Sequence, residues 1–157
     1  MSDLHDISIT INGEAITARV PARLNLVDFI RSEAGLTGSH VGCEHGVCGA
    51  CTIEVDGAMV RGCLMLAVQA DGAKVTTIEA IADAAQGAAL QDAFLKHNAL
   101  QCGYCTPGML ASAMEYLRAG GGPDRAAIRD HISGNYCRCT GYQAIVDAIA
   151  EVAEGGS

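Results

Sequence analysis

Eight cysteines are the residues of this sequence best suited to chemistry. They occupy positions 43, 48, 51, 63, 102, 105, 137 and 139 of a chain of 157 residues. Cys43, Cys48 and Cys51 follow the x4, x2 spacing of plant-type [2Fe–2S] ligands, whose fourth cysteine comes from further along the chain. Cys63 supplies that fourth thiol. We predict that these four cysteines wrap a compact, anionic [2Fe–2S] cluster.

The loop that carries the first three cysteines is rich in glycine. Gly42, Gly46 and Gly49 allow positive φ and close backbone approach, so that N–H groups can point at the sulfurs and offset their negative charge. Zinc is an alternative, but structural zinc sites usually pair two short Cys-x2-Cys knuckles, which this loop lacks. Disulfides are disfavoured because the absence of an export signal indicates a reducing compartment.

Two histidines lie beside the first set. A Rieske centre needs two His in place of two Cys on one iron. Because four cysteines are already available, we interpret His40 and His45 as loop residues, one of which can hydrogen-bond to a sulfur.

The second set consists of Cys102-x2-Cys105 and Cys137-x-Cys139. Each pair comes immediately before a predicted helix, and the positive N-terminal ends of two helices favour an anionic, thiolate-bound group. On spacing alone, zinc suits this set as well as an iron–sulfur cluster does. The first set favours the cluster, since two clusters in one small protein make an electron conduit.

The first half of the chain must position the first set with strands and turns. Isoleucines alternate with polar residues from Ile7 to Ile11, and Asn12-Gly13 follows, which is a strong hairpin signal. A short helix is predicted over 26–33, a second hairpin turns at Asp56-Gly57, and a last strand spans 74–78. These elements predict a small mixed sheet with a helix across it.

The second half changes to helical periodicity. Apolar stripes predict helices over about 90–97, 107–119, 123–132 and 140–152, with Pro107 at a helix start and Thr140-x-x-Gln143 as a capping box. Four short helices rich in Ala and Gly should pack as a bundle. The predicted fold class is therefore α+β, with domains at 1–80 and 81–157 and a boundary near 79–86.

Composition excludes several classes of function. Ten Lys and Arg stand against eighteen Asp and Glu, which gives a net charge of −8 and disfavours nucleic-acid binding. No apolar run approaches the roughly 18 residues of a membrane span. The first residues, Met1–Asp6, lack the basic and apolar regions of a secretory signal, so we expect a soluble, cytoplasmic protein. No paired carboxylates and no Ser-His-Asp set indicate catalysis within the chain.

Three runs of the sequence carry a resemblance to a known family: GCEHGVCGACTIEVDG, which Cys63 follows, QCGYCTPGM and NYCRCTGY. They resemble the small iron–sulfur subunit of the molybdenum hydroxylases. This is the group of xanthine oxidase, aldehyde oxidoreductase and aerobic carbon monoxide dehydrogenase. The resemblance extends from Leu4 to Val152 and includes all eight cysteines in order. It implies a ferredoxin-like β-grasp domain followed by a four-helix-bundle domain. The first cysteine set would hold the cluster distal to molybdenum, and the second set would hold the proximal one.

The same resemblance implies the partners and their cofactors. Gln101 occupies the position of a family glutamine that touches the pterin, and Cys139 matches the cysteine nearest the pterin amino group. Molybdopterin, expected as its cytosine dinucleotide, would lie in a large subunit with the catalytic glutamate, and FAD in a medium subunit. The three chains would form a heterotrimer, often doubled to a dimer of heterotrimers. Electrons would pass singly from molybdenum through the proximal and then the distal cluster to FAD.

Two other classes of function stay open on the sequence. A stand-alone redox carrier with two clusters would need no partner. A zinc-stabilised binding module would be colourless. The substrate of a molybdenum hydroxylase complex is equally open among purines, aldehydes, N-heterocycles, acyl-CoA thioesters and carbon monoxide.

Overall fold

A five-stranded mixed sheet precedes a set of helices along the chain. The computed structural model describes residues 4–155, apart from the side chain of Asp83. The outermost positions of the two predicted domains, 1–3 and 156–157, lie outside the described residues, as do the first three residues of the segment tested for a signal. The strands are β1 (Leu4–Ile11), β2 (Glu14–Pro21), β3 (Thr52–Val55), β4 (Ala58–Arg61) and β5 (Lys74–Thr76). The helices are α1 (Leu26–Ser32), α2 (Ile78–Asp83), α3 (Ala85–Lys96), α4 (Thr106–Arg118), α5 (Arg125–His131) and α6 (Gln143–Gly155).

The sheet has the order β2-β1-β5-β3-β4. β1 runs parallel to β5, and the other neighbouring strands are antiparallel. Asn12 and Gly13 have φ of 51° and 88°, and Asp56 and Gly57 have φ of 49° and 86°. Positive φ at both central residues is the requirement of a type I′ turn, so both predicted hairpins are confirmed.

Helix α1 covers one face of the sheet. Its N-cap is Asn25, whose side chain accepts a hydrogen bond from the backbone N–H of Asp28 at 2.8 Å. Its apolar residues Leu26, Phe29 and Ile30 are fully buried among the isoleucines of β1 and residues of β3 and β5. The alternation along β1 and the apolar stripe of α1 thus meet in one core, which fixes the start of the loop that carries Cys43.

The helical part contains one helix more than the periodicity predicts. Helices α3 to α6 correspond to the four predicted ones, and α2 precedes them where a strand end and a domain boundary were expected. The strand stops at Thr76 because Thr77 is held elsewhere: its N–H donates to Asn12 Oδ1 at 2.9 Å, and its hydroxyl accepts from the Asn12 amide at 2.8 Å. Between residues 4 and 155, none of the helices is long and apolar enough to cross a bilayer. The α+β class and the order of its parts are confirmed.

The sheet and the helices pack directly against each other. Met59 of β4 contacts the helical core, and the Arg118 guanidinium at the end of α4 bonds Glu54 of β3 at 2.6 Å. The loops that carry the two cysteine sets are therefore held on one body.

Glu79 ties α2 to the loop that leads into the first cysteine set. Its carboxylate accepts hydrogen bonds from the N–H of Gly38 at 2.8 Å and from the Thr77 hydroxyl. Burial works to raise the pKa of Glu79, but these hydrogen bonds and the charge of Arg31 outweigh it and hold the pKa below its ordinary value of 4.5. The ionised carboxylate consequently favours the folded state.

Glu79→Gln is expected to cost about 1 kcal/mol of stability near neutral pH, because hydrogen bonds to a charged acceptor are lost. A lowered pKa contributes stability that is complete above the ordinary value of 4.5 and disappears as the pH falls through the lowered value. The difference between wild type and variant in the free energy of unfolding by urea should therefore be constant above pH 4.5 and shrink as the pH falls below it. Glu14→Gln, at an exposed position of β2, is the control. A difference that grows on acidification would contradict the assignment.

Candidate metal centres

The first cysteine set is assembled by the β3–β4 hairpin. Cys43, Cys48 and Cys51 lie in the loop between α1 and β3, and Cys63 follows β4. The N–H of Gly62 donates to the carbonyl of Cys51 at 3.1 Å, which returns Cys63 to the loop. The thiols of Cys51 and Cys63 contact each other, as do those of Cys43 and Cys48. The four predicted ligands are thus brought together as two pairs.

The three loop glycines act in two ways. Gly46 and Gly49 have φ of 83° and 74°, as the prediction requires. Gly42 does not have a positive φ; instead, a Cβ there would lie 3.1 Å from the sulfur of Cys48. His45 contacts the carbonyl of Cys43, and His40 contacts the carbonyl of Tyr104 at 2.8 Å. Both histidines thus contact backbone carbonyls, and within residues 4–155 neither is hydrogen-bonded to a sulfur.

The thiols of the first set differ in acidity. The backbone N–H of Cys48, followed by that of His45, lowers the pKa of Cys43 to about 6. Burial raises the pKa of Cys51 to about 11. Since thiolates rather than thiols bind metals, Cys43 is ready for a metal, whereas the buried Cys51 must release a proton on binding.

The second set lies between the start of α4 and the loop before α6. Cys105 is the residue immediately before α4, and the sulfurs of Cys102 and Cys139 are 3.5 Å apart. The thiols of Cys105 and Cys137 also contact each other. Burial raises the pKa of Cys105 to about 12. Burial also acts to raise the pKa of Cys137, but hydrogen bonds from Thr140 outweigh this effect, so that the pKa of Cys137 is lowered.

Thr140 does not form the predicted capping box. Its hydroxyl donates to Cys137 Sγ at 3.1 Å and accepts from the N–H of Tyr142 at 3.2 Å, while α6 begins only at Gln143. The Gln143 side chain bonds Asp147 instead of returning to the cap. The residue that looked like a helix cap in the sequence is a hydrogen-bond donor to sulfur.

The pairing of the sulfurs decides which metal group each set fits. A [2Fe–2S] cluster has two irons, and the protein supplies two ligands to each. Each set offers four thiols in two contacting pairs, which fits that division. The arrangement fits a two-iron cluster better than a single zinc ion.

The two sets are neighbours. Cys43 and Cys48 of the first set and Cys102 and Cys105 of the second line one cavity of about 210 Å³. Arg138 also lines this cavity. Two anionic clusters at these positions would be separated by a small, partly apolar space.

Gln101 and the outer pair of the second set share an open face. The Gln101 amide donates to the carbonyl of Cys139 at 3.1 Å, and Gln101, Cys102 and Cys139 are all exposed. The structure thus places the two residues predicted to contact a pterin side by side at the surface.

Asn135 is a site residue that the sequence reasoning missed. It is 2% exposed, and its amide donates to the carbonyl of Gly49 in the first cysteine loop and to that of Gly108 in α4. No periodicity or spacing signals the burial of an Asn in a short loop; its position two residues before Cys137 was the only available clue.

Comparison with known proteins agrees with this architecture. Residues 9–76 match the model of a 2Fe-2S iron-sulfur cluster binding domain, and residues 77–150 match that of a [2Fe-2S] binding domain. The fold and the paired cysteine sets therefore define a protein with two iron–sulfur domains.

Known relatives narrow the class. The gamma subunit of caffeine dehydrogenase from Pseudomonas sp. (strain CBB1) is 54% identical over 151 residues, which cover 94% of this chain and 90% of the relative. The nicotine 6-hydroxylase small subunit of Paenarthrobacter nicotinovorans is 51% identical, with 96% and 90% covered. A chain of quinoline 2-oxidoreductase from Pseudomonas putida 86 superposes with a TM-score of 0.91 at 51% identity, covering 98% of this chain and 96% of that one. The chain belongs to the family of small iron–sulfur subunits of molybdenum hydroxylases.

Proposed function

We propose that this chain carries electrons, one at a time, from a molybdenum centre to FAD within a molybdenum hydroxylase complex. The observation that carries the proposal is the arrangement of eight thiols as two adjacent sets, each made of two contacting pairs. In this proposal the distal [2Fe–2S] cluster is held by Cys43, Cys48, Cys51 and Cys63. The proximal [2Fe–2S] cluster is held by Cys102, Cys105, Cys137 and Cys139. The clusters supply one-electron storage, and the chain itself contributes no catalytic residue.

The chain's own groups tune the two sites. The N–H of Cys48 donates to Cys43 Sγ at 3.4 Å, and the N–H and hydroxyl of Thr140 donate to Cys137 Sγ at 3.4 and 3.1 Å. Hydrogen bonds to ligand sulfurs offset negative charge and make a cluster easier to reduce. The two sites are thereby tuned by different donors, a backbone N–H in the first and a backbone N–H together with a hydroxyl in the second.

The exposed surface around the cysteines supports an assembly with two partners. Gln101 and Cys139 would contact the pterin of a large molybdopterin-binding subunit, in its cytosine dinucleotide form, across the open face of the second set. Val47 and Leu64, 45% and 61% exposed beside the first set, would lie toward a medium FAD-binding subunit. We place the domains at 1–80 and 81–157, the latter built around a four-helix bundle, and expect a cytoplasmic dimer of heterotrimers.

Purification of the native complex tests the function. We expect about four iron atoms and as much acid-labile sulfide per chain, two distinct paramagnetic signals on reduction, and larger chains that carry molybdenum and flavin. Zinc in place of iron and sulfide would rule the proposal out. A chain that purifies alone with both clusters and cycles between redox states without partners would instead favour the stand-alone carrier.

The relatives also suggest a class of substrate. Caffeine, nicotine and quinoline, which appear in the names of the relatives, are all N-heterocyclic compounds. We propose that the complex oxidises an N-heterocyclic ring. Each of the three compounds, added to the complex without oxygen, should be compared with an aliphatic aldehyde for bleaching of the iron–sulfur absorbance. Bleaching by the aldehyde alone would overturn this assignment and leave the electron-transfer role intact.

A further inference from the structure

One backbone hydrogen bond links the two cysteine sets directly. The N–H of Tyr136 donates to the carbonyl of Cys48 at 2.8 Å. Cys48 belongs to the first set, and Tyr136 is bonded to Cys137 of the second. A path made of covalent bonds and this hydrogen bond therefore runs from Cys48 Sγ to Cys137 Sγ.

The Asn135 side chain clamps the loops on both sides of that bond. Its amide nitrogen donates to the carbonyl of Gly49 at 3.1 Å and to that of Gly108 at 3.0 Å. Its oxygen accepts from the Ser112 hydroxyl at 2.8 Å. Gly49 follows Cys48, and Gly108 lies just beyond Cys105 in α4. One buried side chain thus joins three of the segments that carry cysteines.

The backbone at Gly49 packs tightly against Asn135 and Gly134. A Cβ at Gly49 would lie 2.6 Å from the Asn135 amide nitrogen and 2.6 Å from the carbonyl oxygen of Gly134. The Arg61 guanidinium also binds that Gly134 carbonyl, at 2.8 Å. Because neither loop can shift without breaking several buried hydrogen bonds, the separation between Cys48 and Tyr136 is set by Asn135 and its partners.

We propose that Asn135 is a positioning residue for electron transfer between the two clusters, holding the Cys48–Tyr136 hydrogen bond in place as the route. The inference rests on the proposed function, since it requires a cluster in each set. The step moves one electron from the proximal to the distal site, so that the donor is oxidised and the acceptor reduced by one electron each. No covalent bond is made or broken and no proton moves.

The test compares Asn135→Ala and Ser112→Ala with wild type in the purified complex. After a pulse of one-electron reductant, rapid-freeze EPR follows how quickly the electron redistributes between the two signals. We expect Asn135→Ala to slow this step severalfold, because the loss of the buried hydrogen bonds to Gly49 and Gly108 lets the two loops move apart and weakens the Cys48–Tyr136 hydrogen bond. Ser112→Ala, which frees only the amide oxygen, should slow it less. Iron and sulfide content should match wild type.

Arg118→Gln is the control. It removes a contact between α4 and β3 that touches neither Cys48 nor Tyr136, and the rate should not change. An unchanged rate in Asn135→Ala with both clusters present overturns the proposal, as does an equal fall in Arg118→Gln. If Asn135→Ala loses a cluster, Ser112→Ala decides, and a wild-type rate there overturns it. A wild-type complex without iron and sulfide would refute the proposed function itself, which is a separate result.

Discussion

Cys48→Ala is expected to abolish one of the two paramagnetic signals of the reduced protein and to leave the other. Cys48 lies in the first set, and the thiol–thiol pairs of the second set, Cys102 with Cys139 and Cys105 with Cys137, do not include it. Iron should fall from about four to about two atoms per chain, since a [2Fe–2S] site with three thiolates is incomplete. Cys137→Ala should remove the other signal by the same reasoning. EPR and iron analysis on the same samples measure both.

Val47→Ala is the matched control for Cys48→Ala. Val47 is the neighbouring residue in the same loop, and 45% of it is exposed. Both signals should persist in this variant. Loss of both signals in Cys48→Ala would mean that the two sets do not assemble independently, and loss of neither would remove Cys48 from the ligand set.

Gly108→Ala is expected to be strongly destabilising, although alanine is the better helix former by about 1 kcal/mol. A Cβ at this position in α4 would lie 2.1 Å from the carbonyl oxygen of Gly49, a backbone atom that cannot rotate away. Overpacking costs about 1–3 kcal/mol, and contact with fixed backbone lies at the upper end of that range. The clash therefore outweighs the helix propensity. It also pushes the first cysteine loop away from Cys105, so iron content should fall with the unfolding temperature.

Gly122→Ala tests whether Gly108→Ala acts through that contact. No heavy atom lies within 4 Å of a Cβ built on Gly122, and its φ is not positive. Its unfolding temperature and iron content should stay close to wild type, because surface substitutions without such contacts change stability by roughly 0.5 kcal/mol or less. Equal behaviour of the two variants would show that backbone crowding at Gly108 has no special importance.

Local signals in the sequence predicted much of this molecule. The Asn12-Gly13 turn and the Asp56-Gly57 turn each need positive φ at both residues, and the structure has positive φ at all four. The cysteine spacings grouped eight residues into two sets, and the structure brings each set together. These features depend on residues that are close in the chain, where spacing and residue type are sufficient.

The features that were missed depend on contacts between distant segments. Helix α2 arises because Thr77 is bound by Asn12, 65 residues away in the chain. Thr140 has the pattern of a capping box, but a sulfur competes for its hydroxyl. Asn135 meets Gly49, 86 residues away, only once the sheet and the helices have packed. No one-dimensional pattern carries these partnerships, so they become visible only in three dimensions.

The unequal exposure of the cysteines has a consequence for how preparations of this chain should be judged. Cys51 is sealed within its loop at 2% exposure, whereas Cys102 and Cys139 face solvent. Dioxygen and chelators therefore reach the second set first in any chain stripped of its neighbours. A wild-type sample with only half its iron then indicates a chain that has been separated from its partner subunits, not a chain that cannot bind clusters. The iron content of a preparation thus reports how much of the chain is assembled.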